Sequence, residues 1–393
     1  MRKRIFGLSV LAALSLLVAG CGGGDDTSVY LVFDIGGRGD QSFNDSAAAG
    51  LDRATEELGI AASELEPTAG GENRDEVLNL AAEDGAQLVF GVGFLFTDAI
   101  AAAAETHPDT NFGLIDGFVP ELTADSNLVS LGFAEHEGSF LVGAAAALKT
   151  QTGKVGFIGG VEIDLIKRFE AGFVAGVRHI DPGIEIDVKY ISQPPDFAGF
   201  TDPAKGKEIG AAMYQAGADV VYHAAGSSGG GLFQSAKEQS EGTGSHVWAI
   251  GVDSDQYLTA GDDFQPYILT SMLKRVDVAV FETISTLVDD SFDGGYRTFD
   301  LSVDGVGYAT SGGHVADIAD QLDDLKAQVI SGAITGPQAP SRKTPSIREK
   351  TGRPQGRPVF HVRRKRGNGA GFHPPGGHRR KTGPTVRNAG IRW

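Results

Sequence analysis

The sequence predicts an α/β protein with two lobes, each built around a parallel β-sheet. The chain has 393 residues, and chains of this length usually fold around more than one hydrophobic core. From Val29 to about Gly251, short apolar runs alternate with segments of helical periodicity. The apolar runs are nearly continuous, as is typical of parallel strands that are covered by helices on both faces.

Eight strands are predicted in this region, which is more than one sheet comfortably holds. They are VYLVF (29–33), AQLVFGVG (86–93), NFGLID (111–116), NLVSLGF (127–133), KVGFIGG (154–160), EIDVKYI (185–191), DVVYHAA (219–225) and HVWAIGVD (246–253). Helices are predicted between them; in FNDSAAAGLDRATEELG, for example, Phe43, Ala47 and Leu51 recur at helical spacing. The long helix EGSFLVGAAAALKT lies near the middle, so we expect a lobe change at about residue 133. A further strand and helix are predicted in YILTSMLKRVDVAVFETISTLV, and the last helix ends at Gly332.

Residues 1–20 are predicted to be a bacterial lipoprotein signal peptide. A cationic MRKR precedes an apolar stretch that is shorter than the roughly 20 residues needed to span a bilayer. The stretch ends in LVAGC, which resembles a lipobox, and Cys21 is the only cysteine of the chain. We predict that Cys21 is the lipidated mature N-terminus, followed by a flexible tether over residues 21–28. Ordinary signal cleavage and an uncleaved anchor are the alternatives. The protein is then expected outside the cytoplasm, at the outer face of the cytoplasmic membrane or in the periplasm.

Charge is distributed unevenly along the chain. Residues 337–393 contain fifteen Lys and Arg residues and one acid, Glu349, and they lack periodic apolar positions. We predict that residues 336–393 are a basic, disordered tail that contributes nothing to the fold; a polybasic arm for anionic surfaces is the alternative. Of 34 Lys and Arg and 51 Asp and Glu in the whole chain, the remainder therefore holds 19 bases against 50 acids. Such an acidic body argues against nucleic-acid binding, because phosphate backbones are bound by clustered cations.

The stretch DIGGRGDQSFND (34–45) joins the first predicted strand to the first predicted helix. Asp34 stands at the carboxyl end of the strand, and Phe43 and Asn44 lie in the first helical turn. In open α/β sheets, ligands bind just outside the carboxyl ends of strands. There an acid accepts hydrogen bonds from hydroxyl or ring N–H groups, an amide donates and accepts, and an aromatic ring offers a stacking surface. A turn residue, a core anchor and a helix cap are the structural alternatives for these three residues.

Polar and aromatic residues also stand at the ends of four other predicted strands. Asp116 closes NFGLID, Tyr222 and His223 lie late in DVVYHAA, Asp253 closes VWAIGVD, and Lys274 follows YILTSML. Taken singly, each has an ordinary explanation as a turn, a packed ring or a solvated helix start. Their joint occurrence at the carboxyl ends of strands predicts a common binding site.

The sequence also allows two other kinds of site to be considered, a hydrolase site and a metal site. GSSGG (226–230) fits the pattern G-x-S-x-G between a strand and a helix, so Ser228 could be a hydrolase nucleophile with Asp253 or Asp255 and His314 as partners. The match is weak in a glycine-rich chain. The nine His residues show no metal-ligand spacing, and we expect neither a metal nor another cofactor.

Several motifs together resemble the basic membrane protein family, the purine-nucleoside-binding lipoproteins of bacterial ABC transporters. They are DIGGRGDQSFNDSAAAGLDRATEELG, GVGFLFTDAIAAAAETHPDTNFGLIDG, KVGFIGGVEIDLIKRFEAGFVAGV, DVVYHAAGSSGGGLFQSAKE and VWAIGVDSDQ, in the expected order from about residue 28 to about residue 335. The turn D-x-G-x(3)-D-x-S-F-N is the most specific of them. The basic tail has no counterpart in the family pattern.

The resemblance implies the type I periplasmic-binding-protein fold, in which two parallel-sheet lobes joined by three crossovers close on a ligand. We expect the N-terminal lobe to comprise residues 29–132 and 254–288, and the C-terminal lobe residues 133–253 and 289–335. The implied protein is a monomeric, non-catalytic solute-binding protein. Its partners would be a purine nucleoside, the membrane through its lipid anchor, and a separate ABC permease.

The resemblance also assigns roles to the residues at the strand ends. The implied ligand-binding set is Asp34, Phe43, Asn44, Asp116, Tyr222, His223, Gly226, Asp253 and Lys274. Phe43 and a second ring, either Tyr222 or His223, would sandwich the purine, and Asp116 would contact the edge of the base. Gly226 would allow close backbone approach, and Asp253 and Lys274 would bind the ribose hydroxyls. Sugar binders of the same fold also use strand-end Asp and Asn residues with stacking rings, so a sugar ligand is an alternative, as is a cleft that serves a signalling or adhesion partner.

Overall fold

The structure is a computed structural model that describes residues 27–68 and 70–337. The predicted signal peptide, the predicted lipidation site Cys21 and nearly all of the predicted basic tail lie outside these ranges. The described strands are β1 (Ser28–Val32), β2 (Ala61–Leu65), β3 (Leu88–Val92), β4 (Asn111–Ile115), β5 (Leu128–Phe133), β6 (Lys154–Val161), β7 (Glu185–Ser192), β8 (Val220–Ala224), β9 (Trp248–Asp253), β10 (Ile268–Lys274), β11 (Gly295–Phe299) and β12 (Val306–Tyr308).

The α-helices lie between these strands in the sequence, as the periodicity predicts. They are α1 (Phe43–Leu58), α2 (Arg74–Glu83), α3 (Thr97–Thr106), α4 (Glu135–Lys149), α5 (Asp164–Ile180), α6 (Pro203–Gln215), α7 (Gly229–Thr243), α8 (Gln256–Thr259), α9 (Val276–Val288) and α10 (Ala319–Ile330). Among the described residues, no helix is both long and apolar enough to cross a membrane.

Two six-stranded sheets form the two lobes. The first sheet has the order β11-β5-β4-β3-β1-β2 and is parallel throughout. The second has the order β12-β10-β9-β8-β6-β7 and is parallel except for the short edge strand β12. The central strands β3 and β8 are buried along their whole length because helices cover both faces of each sheet. The prediction of two parallel-sheet lobes is confirmed.

The chain passes between the lobes three times, at Ala134, at Arg275 and over residues 300–305. The crossing segments are hydrogen-bonded to one another. The amide of Ala134 donates to the carbonyl of Phe299 at 3.0 Å, and the amide of Arg275 donates to the carbonyl of Gly305 at 2.9 Å. The three crossings therefore form one compact hinge at the carboxyl ends of the strands.

The lobe boundaries differ from the expected ones in the second half of the chain. Strand β10 lies within 254–288 but belongs to the second sheet, where it pairs in parallel with β9. Strand β11 lies within 289–335 but belongs to the first sheet, where it pairs with β5. The chain therefore crosses after Lys274 and after Phe299, because each strand is placed by its backbone pairing and not by its order in the sequence.

Strand β2 was not predicted. Its sequence, AASEL, has no apolar run, and most of its residues are exposed or half-buried because it lies at the edge of the first sheet. An edge strand pairs on one side only, so its position depends on the partner strand β1 more than on its own hydrophobic pattern.

Close packing of helices α4 and α5 fixes one wall beside the hinge. A Cβ atom at Gly172 would lie 2.2 Å from the carbonyl oxygen of His136, and one at Gly176 would lie 2.0 Å from that of Phe140. The two backbones therefore approach as closely as glycine permits. This contact holds the first two turns of α4 against the second half of α5.

Candidate functional site

A cleft between the lobes contains about 700 Å³ of space that protein atoms do not fill, part of it open to solvent. Its walls come from the carboxyl ends of strands in both sheets and from the first turn of α1. Asp34, Gly93 and Asp116 line it from the first lobe, and Ala224, Asp253 and Lys274 line it from the second. The structure thus brings together the strand ends of two sheets, which is where ligands bind in open α/β folds.

The turn before α1 is organised by Asp40. The amides of Ser42 and Asp45 donate to its Oδ1 at 2.9 and 3.1 Å, and the amide and side chain of Asn44 donate to its Oδ2 at 2.9 and 3.2 Å. Burial raises the pKa of Asp40, and the backbone donors act in the opposite direction. Asp40 thereby supplies acceptors to the free N–H groups at the start of α1 and directs Phe43 and Asn44 into the cleft.

Asp34 lies just beyond the end of β1, where a glycine makes room for it. A Cβ atom at Gly93 would be 2.2 Å from Asp34 Oδ2, and Gly93 has a φ of +111° that favours glycine. The amide of Ile35 donates to Asp34 Oδ1 at 2.7 Å, and the Arg74 guanidinium lies 3.5 Å from the same oxygen. Burial raises the pKa of Asp34 to about 6, although the Ile35 amide and Arg74 both favour the ionised form.

Lys274 is the central cation of the cleft and is only 2% exposed. Its Nζ donates to Asp116 Oδ2 at 2.5 Å, so an ion pair joins the first lobe to the second. Its Nζ also lies 4.9 Å, 5.0 Å and 5.5 Å from the ring centroids of Phe43, Phe133 and Phe169. Burial acts to lower the pKa of Lys274, but the surrounding carboxylates raise it overall.

Asp116 and Asp253 occupy equivalent positions at the ends of β4 and β9. Both have left-handed backbone conformations, with φ of +65° and +63°. The hydroxyl of Ser42 donates to Asp253 Oδ2 at 2.6 Å, which places a residue of the first lobe on a carboxylate of the second. Burial raises the pKa of Asp253 to about 6, against the attraction of Lys274 and the Ser42 hydrogen bond. Asp116 Oδ1 has no hydrogen-bond partner among the described residues.

Aromatic side chains cover the cleft from both lobes. Phe43 and Phe94 belong to the first lobe, and Phe169 and Phe200 belong to the second. Phe200 ends a short 3₁₀ turn against β6, where a Cβ atom at Gly160 would lie 2.5 Å from its ring. The walls are therefore largely apolar, with carboxylates and one ammonium at their inner end.

Tyr222 and His223 do not line the cleft, although they were the expected second ring. Both are fully buried within β8. Tyr222 packs on Phe157 and shares a hydrogen bond of 3.2 Å with Ser139, while His223 Nε2 bonds to Gln256 at 3.0 Å. Burial lowers the pKa of His223 to about 4. Successive residues of a strand face opposite sides of the sheet, and helices cover both sides here, so the cleft wall begins only at Ala224.

Gly226 does reach the cleft, and it has a left-handed φ of +54°. A Cβ atom there would lie 3.0 Å from the carbonyl oxygen of Phe200, so glycine suits this close approach. Seven of the nine expected ligand-binding residues therefore lie together, and Tyr222 and His223 lie behind them in the core.

The alternative hydrolase arrangement is not assembled. Ser228 Oγ donates to the carbonyl of Gly199 at 2.8 Å and accepts from the amide of Asp202 at 2.8 Å. Ser228 is thus a buried structural hydroxyl. His314 instead packs beside Trp248, with 4.8 Å between ring centroids. Within residues 27–68 and 70–337, no group of three or more His, Cys, Asp or Glu residues could hold a metal ion.

Five residues of the site and its surroundings were missed by sequence reasoning: Arg74, Phe94, Glu135, Phe169 and Phe200. Phe94 stands just after β3, and this strand end carried the same signal as the other strand ends. Phe200 ends a short 3₁₀ turn, and Phe169, Glu135 and Arg74 lie on helices, away from the strand ends that predict the site. Only the tertiary packing brings these four to the cleft.

The geometry is that of a two-lobe solute-binding protein, and comparison with known proteins assigns the family. Residues 27–338 match the family model described as "ABC transporter substrate-binding protein PnrA-like". The chain is 35% identical over 360 residues to the ABC transporter nucleoside-binding protein BmpA of Lactococcus lactis, covering 86% of this chain and 99% of the relative. It is 31% identical over 333 residues to basic membrane protein A of Borreliella burgdorferi, covering 84% and 93%. The chain therefore belongs to the Bmp family of ABC transporter substrate-binding proteins.

Solved structures agree with this assignment. A solute-binding protein of an ABC transporter system from Aeropyrum pernix is 31% identical, with a TM-score of 0.68 over 79% of this chain and 94% of that one. A solute-binding protein from Conexibacter woesei, at 21% identity and a TM-score of 0.63, shares the fold over 79% and 99% of the two chains. The predicted type I periplasmic-binding-protein fold is confirmed. Substrate-binding proteins of this family work outside the cytoplasm and are binding components, not enzymes.

The raised pKa of Asp34 leads to a prediction about stability. Because the folded carboxyl has a pKa of about 6, above its ordinary value of 3.8, the folded state binds more protons than the unfolded state between these values. The free energy of unfolding contributed by Asp34 therefore falls as pH rises from about 4 to 6. Asp34→Asn should remove this loss. In denaturant unfolding, the free energy of unfolding of the variant, measured relative to wild type, should therefore rise by about 2 kcal/mol from pH 4 to pH 7.

Asp125→Asn serves as the control, because Asp125 is an exposed carboxylate far along the chain from the opening turn. Its exposed carboxylate is not desolvated in the folded state, so Asp125→Asn should change the free energy of unfolding little. If the free energy of unfolding of Asp34→Asn depends on pH as that of wild type does, burial in the cleft does not raise the pKa of Asp34.

Proposed function

We propose that the chain captures purine nucleosides in the interlobe cleft and passes them to a separate ABC permease. The observation that carries this proposal is the pairing of aromatic walls from both lobes with a carboxylate–ammonium cluster at their inner end. A nucleoside has matching parts, a flat polarisable base and a ring with vicinal hydroxyls. The name of the Lactococcus lactis relative, a nucleoside-binding protein, supports the same ligand class.

The base would lie between Phe43 and Phe200. These rings line the cleft from opposite lobes, so both can contact the two faces of one planar ligand when the lobes are together. Stacking of a base on an aromatic ring is worth about 1–3 kcal/mol per ring and tolerates differences between bases. Phe200 takes the role that the sequence resemblance gave to Tyr222 or His223.

Polar groups at the inner end would bind the edges of the purine. Asp116 Oδ1 is unpaired within the described part of the chain and can accept a ring N–H. Asp34 Oδ2 faces the cleft beside Gly93, and Asn44 lies next to it. A carboxylate acceptor in a desolvated cleft forms a strong, charge-assisted hydrogen bond, which favours purines that carry ring N–H or amino donors.

The ribose would lie between Asp253 and Lys274. Asp253 can accept from two vicinal hydroxyls, and Lys274 can donate to a hydroxyl or ring oxygen. The Ser42 hydroxyl already holds one carboxylate oxygen of Asp253 at 2.6 Å, which fixes the orientation of the group. Gly226 leaves the backbone accessible on the same wall.

A phosphate group would not suit this cleft. The cations Lys274 and Arg74 are already close to carboxylates, at 2.5 Å from Asp116 and 3.5 Å from Asp34. An added phosphate would face Asp34, Asp116 and Asp253 in a region of low dielectric, where like charges repel strongly. The cleft therefore favours nucleosides over nucleotides.

Ligand binding would stabilise the arrangement in which the lobes are close. Several contacts already join the lobes at the cleft, including the Phe94 and Phe197 rings at 6.0 Å and the hydrogen bond from Ser42 to Asp253. A ligand held by both walls binds the closed arrangement better than an open one and shifts the population towards it. A permease can distinguish loaded from empty protein by this difference in shape.

Substitution of Phe200, the proposed second stacking ring, tests the proposed function directly. In calorimetric titrations of solute-free protein, we expect inosine, guanosine or adenosine to bind, and Phe200→Ala to weaken that binding by about 5- to 150-fold, because one stacking face is lost. Tyr222→Phe should leave the affinity near that of wild type, since Tyr222 lies in the core behind the cleft.

The same titrations should include cytidine, ribose and galactose. Binding of ribose or galactose without binding of any nucleoside would reject the proposal and support the sugar alternative. A Phe200→Ala variant that binds nucleosides as tightly as wild type would show that Phe200 is not the second stacking ring.

We also propose that a lipid on Cys21 anchors the chain at the outer face of the cytoplasmic membrane. The support is the LVAGC sequence and the names of relatives such as an uncharacterized lipoprotein of Pyrococcus abyssi, 33% identical over 341 residues that cover 83% of this chain and 82% of the relative. Two or more acyl chains give stable attachment.

Labelling with palmitate tests the anchor. Wild-type protein expressed in a bacterial host should incorporate the label and sediment with membranes, whereas Cys21→Ser should lose both properties because the acylated thiol is absent. Label retained in Cys21→Ser would contradict the assignment of Cys21 as the lipidated residue.

A further inference from the structure

Glu135 is a fully buried acid that neither the sequence analysis nor the proposed ligand contacts account for. It is the first residue of α4, directly after the first crossing between the lobes, and its side chain is 0% exposed. Neither of its carboxylate oxygens has a hydrogen-bond partner among the described residues. A buried charge with so little compensation is costly, so its neighbours need to be cations.

Two cations lie on either side of this carboxylate. Arg168 Nε is 3.2 Å from Glu135 Oε2, and Lys274 Nζ is 3.8 Å from Glu135 Oε1. Arg168 belongs to α5 and precedes Phe169, which lines the cleft. The close packing of α4 on α5 at Gly172 keeps Arg168 beside the start of α4.

Lys274 therefore lies between two carboxylates with different surroundings. Asp116, at 2.5 Å, lines the cleft and has a free oxygen, whereas Glu135, at 3.8 Å, is not among the residues that line it. When a ligand N–H engages Asp116, part of the negative charge that holds the ammonium is taken up by the ligand. A second carboxylate out of the ligand's reach would keep Lys274 in place.

We propose that Glu135 is a positioning residue for ligand binding: it shares the Lys274 ammonium with Asp116, so that Asp116 can accept from the ligand while Lys274 stays directed at the ribose. Arg168 holds Glu135 ionised for this role. The inference rests on the proposed function and assigns it a residue that does not touch the ligand.

The charged and titratable groups around Glu135 make pH a suitable readout. Burial raises the pKa of Glu135 to about 7, while Lys274 and Arg168 act to lower it and Asp116 acts to raise it. Tyr222 of β8 and His136 of α4 also lie nearby; burial raises the pKa of Tyr222 well above its ordinary value and lowers that of His136. Below about pH 7, Glu135 takes up a proton and its hold on Lys274 weakens.

The test is calorimetric titration of the full chain with inosine between pH 5.5 and pH 8.5. At pH 8, Glu135→Gln should bind inosine about tenfold more weakly than wild type, the loss of one interaction with a charged group. The ratio should shrink towards one near pH 5.5, where Glu135 of the wild type is itself neutral. A merely structural role would lower the affinity by the same factor at every pH.

Glu137→Gln is the matched control. Glu137 lies in the same helical turn and accepts from the amide of Leu301 at 3.0 Å, which a glutamine oxygen can also do. Its affinity for inosine and its pH profile should follow wild type.

Substitution of Arg168 provides a second test of the role of Glu135, and this test does not require Glu135→Gln to fold. Its side chain is 38% exposed, so substitution there is mild. Arg168→Gln should move the midpoint of the pH profile upwards, because Glu135 loses a cation that favours its ionised form, and Arg168→Lys should move it back.

The outcomes separate the two proposals. If wild type binds no nucleoside at any pH, the proposed function fails. If wild type binds inosine but Glu135→Gln and Arg168→Gln keep its affinity and pH profile, the function stands and the role of Glu135 is overturned.

Discussion

The structure depends on one buried ammonium. Lys274, at the end of β10, donates to Asp116 of the other lobe at 2.5 Å and lies 3.8 Å from Glu135, among three phenylalanine rings. Five carboxylates lie in or next to the cleft, and burying so many anions together is costly without a cation among them. The chain crosses between the lobes immediately after Lys274, at Arg275. The ion pair, the hinge and the cleft therefore meet at the same place.

This arrangement explains how a fold shared with many solute-binding proteins can be specialised. The sheets and helices bring strand ends together, but they do not select a ligand. Under the proposed function, selection comes from the few side chains at those ends: rings on both walls for a planar group, carboxylates for N–H and hydroxyl donors, and one ammonium whose charge is already compensated. Asp40 adds order to this set by capping α1, which places Phe43 on the cleft wall and holds the Asn44 side chain by a hydrogen bond of 3.2 Å. The turn therefore fixes the orientation of residues that line the cleft.

Much of the fold followed from the sequence because its signals are local. Eight apolar runs and the helices between them appear close to their predicted positions, and seven of the nine expected ligand-binding residues lie in one cleft. What failed required long-range information. Strands β10 and β11 were assigned to the wrong lobes because pairing, not chain order, places them. Tyr222 and His223 were expected in the cleft but are buried in the core. The residues of β8 alone do not show where along the strand the covering helices end and the cleft begins. Phe200 and Glu135 carry no local signal, and only the packing of loops and helices places Phe200 on the cleft wall and Glu135 beside Lys274.

The most direct test of the account is the thermal stabilisation of Lys274→Met by a purine nucleoside. Methionine keeps the apolar length of the side chain among the three rings but removes the charge that both lobes share. The variant should melt at a lower temperature than wild type, because the buried carboxylates lose their shared cation. At a nucleoside concentration that raises the melting temperature of wild type by several degrees, the variant should show no upshift. Lys237→Met, which removes an ammonium 3.4 Å from the exposed Asp263, should respond like wild type. A Lys274→Met variant that is stabilised as strongly as wild type would contradict the central role given to this ion pair.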